Sequence, residues 1–158
     1  MTILTAKDSL GKAIGRISSG IYIVTTGARD QKQGMLASWI MQASFEPPAI
    51  TVAVQQDREI IGKIEANRKF VVNILSEGNT NITGRFAQYR ADQFDDLNAY
   101  ENEYGTILKD TVAYLSCELA DKWKGGDHFI LLGNIVEGEV INGDLDPWTH
   151  LRKSGFVY

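Results

Sequence analysis

Leu10, Ala13, Ile14 and Ile17 recur at the three- and four-residue spacing of one helical face and predict a helix over 6–17. Beyond Gly20 the pattern changes. Residues 21–26 are rich in β-branched side chains and predict a strand. The polar run 28–34, ending in Gly34, reads as a hairpin loop. Strands follow over 35–39 and 42–45, on either side of a bend. Pro47 and Pro48 forbid a helix and start the next strand, 49–54. Ile60, Ile61 and Ile64 mark a short helix within 57–67, and Phe70-Val71-Val72 centres a strand over 69–75. Ile82, Phe86 and Tyr89 share one face of a helix over 81–89. Residues 90–110 are polar and irregular, with Phe94 and Leu97 as anchors; so long a connection is expected to cover a site or an interface. From 112 to 120 the chain alternates, Leu115, Cys117 and Leu119 on one face and Tyr114, Ser116 and Glu118 on the other. Lys124 to Asp127 reads as a turn, followed by strands 128–132 and 135–141 separated at Gly133. The stretch 146–158 has no clear period. Seven or so short strands with few helices predict a mainly β, antiparallel barrel. The absence of repeats, linkers and low-complexity runs predicts one domain over 1–158.

Composition narrows the function classes. Hydrophobic residues are 44% and charged residues 23% of the 158, ordinary for a globular chain and unlike a disordered one. Sixteen Lys and Arg against 20 Asp and Glu give a net charge of −4 with no basic run, so no nucleic-acid partner is expected. No apolar run is long enough to cross a bilayer, so no membrane association is expected. Met1 to Asp8 lacks the charged and apolar regions of a secretion signal. The single cysteine, Cys117, excludes an intrachain disulfide, fits a reducing compartment such as the cytoplasm, and is expected to be a buried, inert thiol.

No P-loop, dinucleotide-binding glycine fingerprint or G-x-S-x-G elbow is present. Two histidines, His128 and His150, with one cysteine cannot assemble a Cys/His zinc site, so no metal is expected. Asp95-Asp96 reads as a solvated loop. Small residues flank the bend in Ala37-Ser38-Trp39 and Ala43-Ser44-Phe45, where a flat heterocycle could reach the backbone; ordinary barrel packing accounts for the same pattern. Arg58 before one helix and Arg85 inside another suit a phosphate, or are solvated charges. His128, after Gly125-Gly126-Asp127, opens an apolar strand, where it could serve a substrate amide or the scaffold. These residues alone leave the function open.

Four segments in order add a resemblance. Gly34 to Pro48 reads G-x-L-A-S-W-x-x-Q-A-S-F-x-P-P. Phe70-Val71-Val72-Asn73-Ile74-Leu75 is followed by Gly84-Arg85-Phe86-Ala87. Gly126-Asp127-His128 precedes Gly133, and His150-Leu151-Arg152-Lys153-Ser154-Gly155 follows near the end. Together they resemble the flavin-reductase-like family of FMN-binding split barrels over roughly residues 10–158. The last segment is similar to the C-terminal flavin reductase module of cyanobacterial-type diflavin flavodiiron proteins.

The resemblance implies an antiparallel FMN-binding split β-barrel with a few peripheral helices, working as a homodimer. It implies bound FMN, or sometimes FAD, with NADH or NADPH as electron donor. The activity implied is that of an NAD(P)H-dependent flavin oxidoreductase passing electrons through the flavin to an acceptor. By the same resemblance Leu36, Ala37, Ser38 and Trp39 line the isoalloxazine and ribityl chain, with Ser44 beside them. Gln55, Asp57 and Arg58 sit by the ribityl phosphate, where many relatives place a Ser/Thr pair and this sequence departs from them. Arg85 and Phe86 complete the phosphate side, and His128 faces the nicotinamide as the catalytic candidate. Phe94, Leu97, Tyr100 and Tyr104 are candidates for the dimer contact. In the flavodiiron subgroup the module follows a metallo-β-lactamase-like and a flavodoxin-like domain, neither of which is in this sequence. The expected partner is therefore a flavodiiron-type core or another acceptor protein. Two alternatives stand beside this reading: an FMN-binding electron-transfer module with little nicotinamide turnover of its own, and a flavin- or haem-binding sensor domain.

Overall fold

The computed structural model describes residues 5–158, so the Met1–Leu4 part of the N-terminal reading lies outside the described residues. The helices are α1 (Ala6–Ile14), α2 (Ile60–Asn67) and α3 (Thr80–Phe86). The strands are β1 (Tyr22–Thr26), β2 (Gln33–Ala37), β3 (Ile40–Phe45), β4 (Pro48–Gln55), β5 (Lys69–Ile74), β6 (Ala99–Asn102), β7 (Gly105–Leu108), β8 (Ala113–Gly125) and β9 (His128–Val140). Seven of them form one antiparallel sheet in the order β2-β1-β5-β8-β9-β4-β3. Strands β2 and β3 are its opposite edges, yet only Ser38 and Trp39 separate them along the chain. Three Cα steps span at most about 11 Å. A seven-stranded sheet with edges tied that closely has to curl on itself. The expected mainly β barrel follows from that one connection.

The barrel interior is apolar. Val24, Val52, Val54, Phe70, Val72, Cys117 and Leu131 meet inside it, and Ile60, Ile61 and Ile64 of α2 pack onto them. Burying three isoleucines contributes at most roughly 5–9 kcal/mol. An eight-residue helix does not persist alone in water, so the barrel holds α2 rather than the reverse. Burial pushes the Cys117 thiol up to about 12, so it stays protonated and inert.

Four expectations need correction. Helix α1 ends at Ile14, not at residue 17, and its apolar stripe does not enter the core: Leu10 is 54% and Ile17 68% exposed. A reciprocal cap of Thr5 and Asp8 starts the helix. Its buried residue is Gly11, whose missing side chain leaves room for Ser154 and Phe156, while Gly155 N–H donates to Gly11 O at 2.6 Å.

The segment 90–110 is not wholly irregular, because β6 and β7 form a hairpin. Buried Asn73 holds that hairpin: its Oδ1 accepts from Leu108 N–H at 2.8 Å and its Nδ2 donates to Thr106 O at 3.1 Å. Thr25 Oγ1 adds a bond to Thr106 O at 2.7 Å. The hairpin covers the outer face of β8, so Tyr114 and Ser116 are buried as well as Cys117 and Leu119, with a bulge between Ser116 and Cys117.

Helix α3 stops at Phe86, short of Tyr89. Finally, β9 runs unbroken through Gly133. A Cβ there would lie 2.5 Å from Phe70 Cζ and 3.2 Å from Cys117 Cβ. Gly133 is a packing requirement of one long strand, not a break between two. Phe70 is fully buried and cannot retreat. Gly133→Ala is expected to cost about 1–3 kcal/mol, lowering Tm by roughly 2–4 °C per kcal/mol. A calorimetric melt within 1 °C or so of the parent would show that Phe70 can shift.

Candidate functional site

The Ser38-Trp39 connection forms one wall of a cavity of about 350 Å³, within the roughly 300–1,000 Å³ that small-molecule sites occupy. Strand β2 supplies Met35, Leu36 and Ala37, and β4 supplies Ala53, Val54 and Gln55. Arg58 comes from the turn before α2, Thr83 from α3 and Ala87 from just beyond it. Trp148, His150, Arg152 and Tyr158 arrive from the segment after β9. That segment is tied back to the start of the barrel by paired bonds between Ser19 and His150, 2.7 and 3.0 Å long. The lining is mostly apolar and includes the small residues Ala37, Ser38 and Ala53.

Two guanidiniums supply positive charge. Arg58 donates to Ala87 O at 3.2 Å. Arg152 is only 9% exposed; it lies 5.2 Å over the Trp39 ring and donates to Val157 O at 3.1 Å. Neither has a carboxylate partner among the described residues. A buried guanidinium without a counter-charge is unfavourable, and its planar donor fork matches a phosphate. The donor set therefore fits a ligand with a flat apolar body and an anionic group.

His128 is buried behind Trp39, ring centroids 4.6 Å apart and tilted by 30°. Its Nδ1 lies 2.7 Å from Asp127 Oδ1 and its Nε2 2.6 Å from the Tyr158 hydroxyl. The hydrogen bond from His128 holds the Asp127 carboxyl below its usual range, so it accepts. Nδ1 then donates to Asp127, and in the tautomer with its proton on Nδ1, Nε2 accepts from the Tyr158 hydroxyl. Burial raises the Tyr158 phenol above its usual value and keeps it a donor.

Of the residues singled out from sequence, Leu36, Ala37, Ser38, Trp39, Gln55 and Arg58 line the cavity. Asp57 lines an adjoining recess of about 210 Å³, which shares Met35 and Arg58 with the cavity. Ser44 lies outside both, paired with Ala49 past a bulge in β3. Arg85 points elsewhere and donates to the Asp95 carbonyl. Phe86 is a core residue, fully buried with its ring edge-on to Phe94 at 5.2 Å, and cannot touch a ligand. Both were drawn toward a phosphate by their place in a helical motif, but α3 turns that face onto the core and the 93–97 segment. His128 lines neither cavity directly, because Tyr158 and Trp39 cover it. Sequence reasoning assigned no role to Trp148, His150, Arg152 or Tyr158. The first three stand at alternate positions, the signature of one face of an extended segment.

The match to protein families decides the ancestry of this arrangement. Residues 14–156 match the flavin reductase like domain. The chain belongs to the flavin reductase like family. It is 42% identical to diflavin flavoprotein A 1 of Synechocystis sp. over 98% of its own length, but spans 28% of that relative. The structure of the Streptomyces globisporus NADH:FAD oxidoreductase SgcE6, in complex with NAD and FAD fragments, is similar with a TM-score of 0.84 and 26% identity, covering 98% of this chain and 94% of that one. Flavin reductase PheA2 gives a TM-score of 0.77 at 25% identity over 89% of this chain and 90% of its own. The fold expected from the sequence is therefore the family's fold.

In this flavin reductase like domain Phe86→Ala is expected to remove about 3–5 kcal/mol of stability, measured by urea unfolding of flavin-free protein. A residue acting only on a ligand would leave that curve in place.

Proposed function

We propose that the chain is an NAD(P)H:flavin oxidoreductase holding FMN in the cavity beside the Ser38-Trp39 connection. Family membership supports flavin oxidoreduction, and one structural observation carries the assignment of the site. Two guanidiniums with no carboxylate partner among the described residues, Arg58 and Arg152, stand on a mostly apolar cavity lined in part by small residues. A flavin mononucleotide has the matching parts: a flat tricyclic ring, a hydroxylated chain and a phosphate. FAD shares them.

Leu36, Ala37 and Trp39 pack against the ring in this reading, Ser38 and Gln55 supply polar contacts, and Arg58 and Arg152 hold phosphate. Bound flavin supplies the hydride acceptor. The protein supplies alignment, which is worth most when the reacting rings are held face to face. His128, set in one tautomer by Asp127, offers Nε2 to the carboxamide of the nicotinamide.

A second reading rests on the diflavin relatives: the chain is 42% identical to diflavin flavoprotein A 1 of Synechocystis sp., and an electron-transfer module that serves a flavodiiron-type core or another acceptor protein fits that likeness as well. We place either activity in a reducing compartment such as the cytoplasm, on the buried free Cys117. No helix among the described residues is long and apolar enough to cross a membrane.

We further propose a homodimer, with a changed contact. Phe94 and Leu97 pack onto their own chain's core, as does Tyr104, so the 90–110 segment has spent most of its anchors. Edge strand β3, with Met41 and Phe45 exposed, and the α1 region, with Leu10 in the helix and Ile17 just beyond it exposed, are unpartnered apolar surfaces among the described residues. Sedimentation at micromolar concentration is expected to give about twice 17.5 kDa, and a 17.5 kDa species alone would refute the dimer.

The deciding experiment is anaerobic titration of the flavin-loaded protein with NADH and with NADPH. Rapid bleaching of the flavin absorbance by either supports the reductase. Bleaching only by a reduced protein partner supports the electron-transfer module. On the same preparation, Arg58→Ala is expected to weaken FMN tenfold to a hundredfold, the roughly 1.5–3 kcal/mol of a charge-assisted bond, and riboflavin hardly at all. Equal losses for both ligands would remove Arg58 from the phosphate site.

A further inference from the structure

His128 has two ring nitrogens, and both are taken. Asp127 holds Nδ1, so Nε2 is the one position from which the ring can meet a ligand, and Tyr158 occupies it at 2.6 Å. The Tyr158 ring also packs beside Trp39, tilted by 42° with centroids 5.4 Å apart. A planar ring with one hydrogen-bond donor thus already fills the aromatic corner of Trp39 and His128.

The two halves of this corner are held very differently. His128 is paired with Gln55 on one side and Gly125 on the other, and Trp39 O accepts from Ala53 N–H at 3.0 Å. Tyr158, by contrast, is 63% exposed. Its segment forms neither helix nor strand after His150, and Leu151, Phe156 and Val157 are exposed. Residues 152–156 are anchored: Arg152 is buried over the Trp39 ring with its carbonyl bonded by Arg16, Gly155 N–H donates to Gly11 O, and Phe156 lies beside Gly11 and under the Lys7 ammonium. Beyond those anchors the exposed Tyr158 ring meets His128 and Trp39. The receptor is built on paired strands, and its occupant is a solvent-exposed side chain held by one hydrogen bond and a ring contact.

The geometry points to Tyr158 as a built-in competitor for the nicotinamide ring: its phenol mimics a planar ring bearing a donor and has to leave before the carboxamide can reach His128 Nε2. This rests on the reading above that His128 serves the nicotinamide. The phenol donates O–H to Nε2, and a carboxamide donates N–H to the same atom, so the two exclude each other. Displacement loses one neutral hydrogen bond and one partial ring contact, about a tenfold effect for a single bond of this kind. A binding-competent state populated at one part in ten weakens apparent affinity by the same factor.

The test is calorimetric titration of NAD⁺ and NADP⁺ into flavin-loaded protein, normalised to flavin absorbance, for wild type, Tyr158→Ala, Tyr158→Phe and the double variant Tyr158→Ala with His128→Ala. The oxidised cofactors bind without turnover. The dinucleotide that binds is expected to bind about tenfold tighter to Tyr158→Ala, with Tyr158→Phe between it and wild type. In wild type carrying ring-labelled tyrosine, the Tyr158 NMR signal is expected to move to its solvent-exposed position at saturation. Unchanged or weaker binding to Tyr158→Ala, or a Tyr158 signal that stays in place, overturns the proposal. Because His128→Ala alone removes the bond to Tyr158 together with the bond to the carboxamide, His128 is judged in the Tyr158→Ala background, where adding His128→Ala is expected to lose affinity. If the double variant binds as tightly as Tyr158→Ala, the reading of His128 beneath the proposal fails, and the proposal with it.

Discussion

Ser38 and Trp39 join the two edges of a seven-stranded sheet, and most of the molecule follows from that short tie. Strand pairing alone would leave β2 and β3 far apart. The chain between them is too short to permit it, so the sheet has to close. Closure gives the apolar faces of the strands a common interior, which α2 seals with three isoleucines. It also sets Trp39 where its ring can be packed by His128 from β9 and by Arg152 and Tyr158 from beyond it.

The site is the chemical consequence of that closure. At the tie the strands carry small residues, and these line the cavity together with Trp39. The segment after β9 is pinned at Ser19 and brings His150, Arg152 and Tyr158 to the same place. Among the described residues neither Arg58 nor Arg152 is paired with a carboxylate, which suits an anionic ligand better than a structural ion pair. Asp127 acts at one remove, fixing which nitrogen of His128 bears the proton.

Local pattern was a good guide wherever burial was one-sided and decided by neighbours in sequence. Strand 49–54 and the short helix within 57–67 read correctly, because a short apolar run or helical apolar spacing is itself the packing requirement. Leu36 to Trp39 with Gln55 and Arg58, which line one cavity, were picked out together by the family resemblance, while their residue types alone left ordinary barrel packing open. Pattern failed where the partner was distant. The 99–108 hairpin depends on Asn73 and Thr25, polar residues that look unremarkable in their own strand. Gly133 looked like a break because the ring of Phe70, which needs its missing side chain, is more than sixty residues away.

The sequence by itself determined the class of the fold, the family, and the small-residue stretch that lines the cavity, because each is a matter of spacing along a few consecutive residues. Only the tertiary structure decided which charged and aromatic side chains reach that stretch. It set Phe86 and Arg85 outside the cavity, because their helix face turns to the core and to the 93–97 segment. It brought in Arg152, whose alternation with Trp148 and His150 is too short to announce a site, and Tyr158, which no local period distinguishes. The physical reason is the same in each case. A side chain's chemistry depends on what shares its few ångströms of space, and in a closed barrel those neighbours come from opposite ends of the chain.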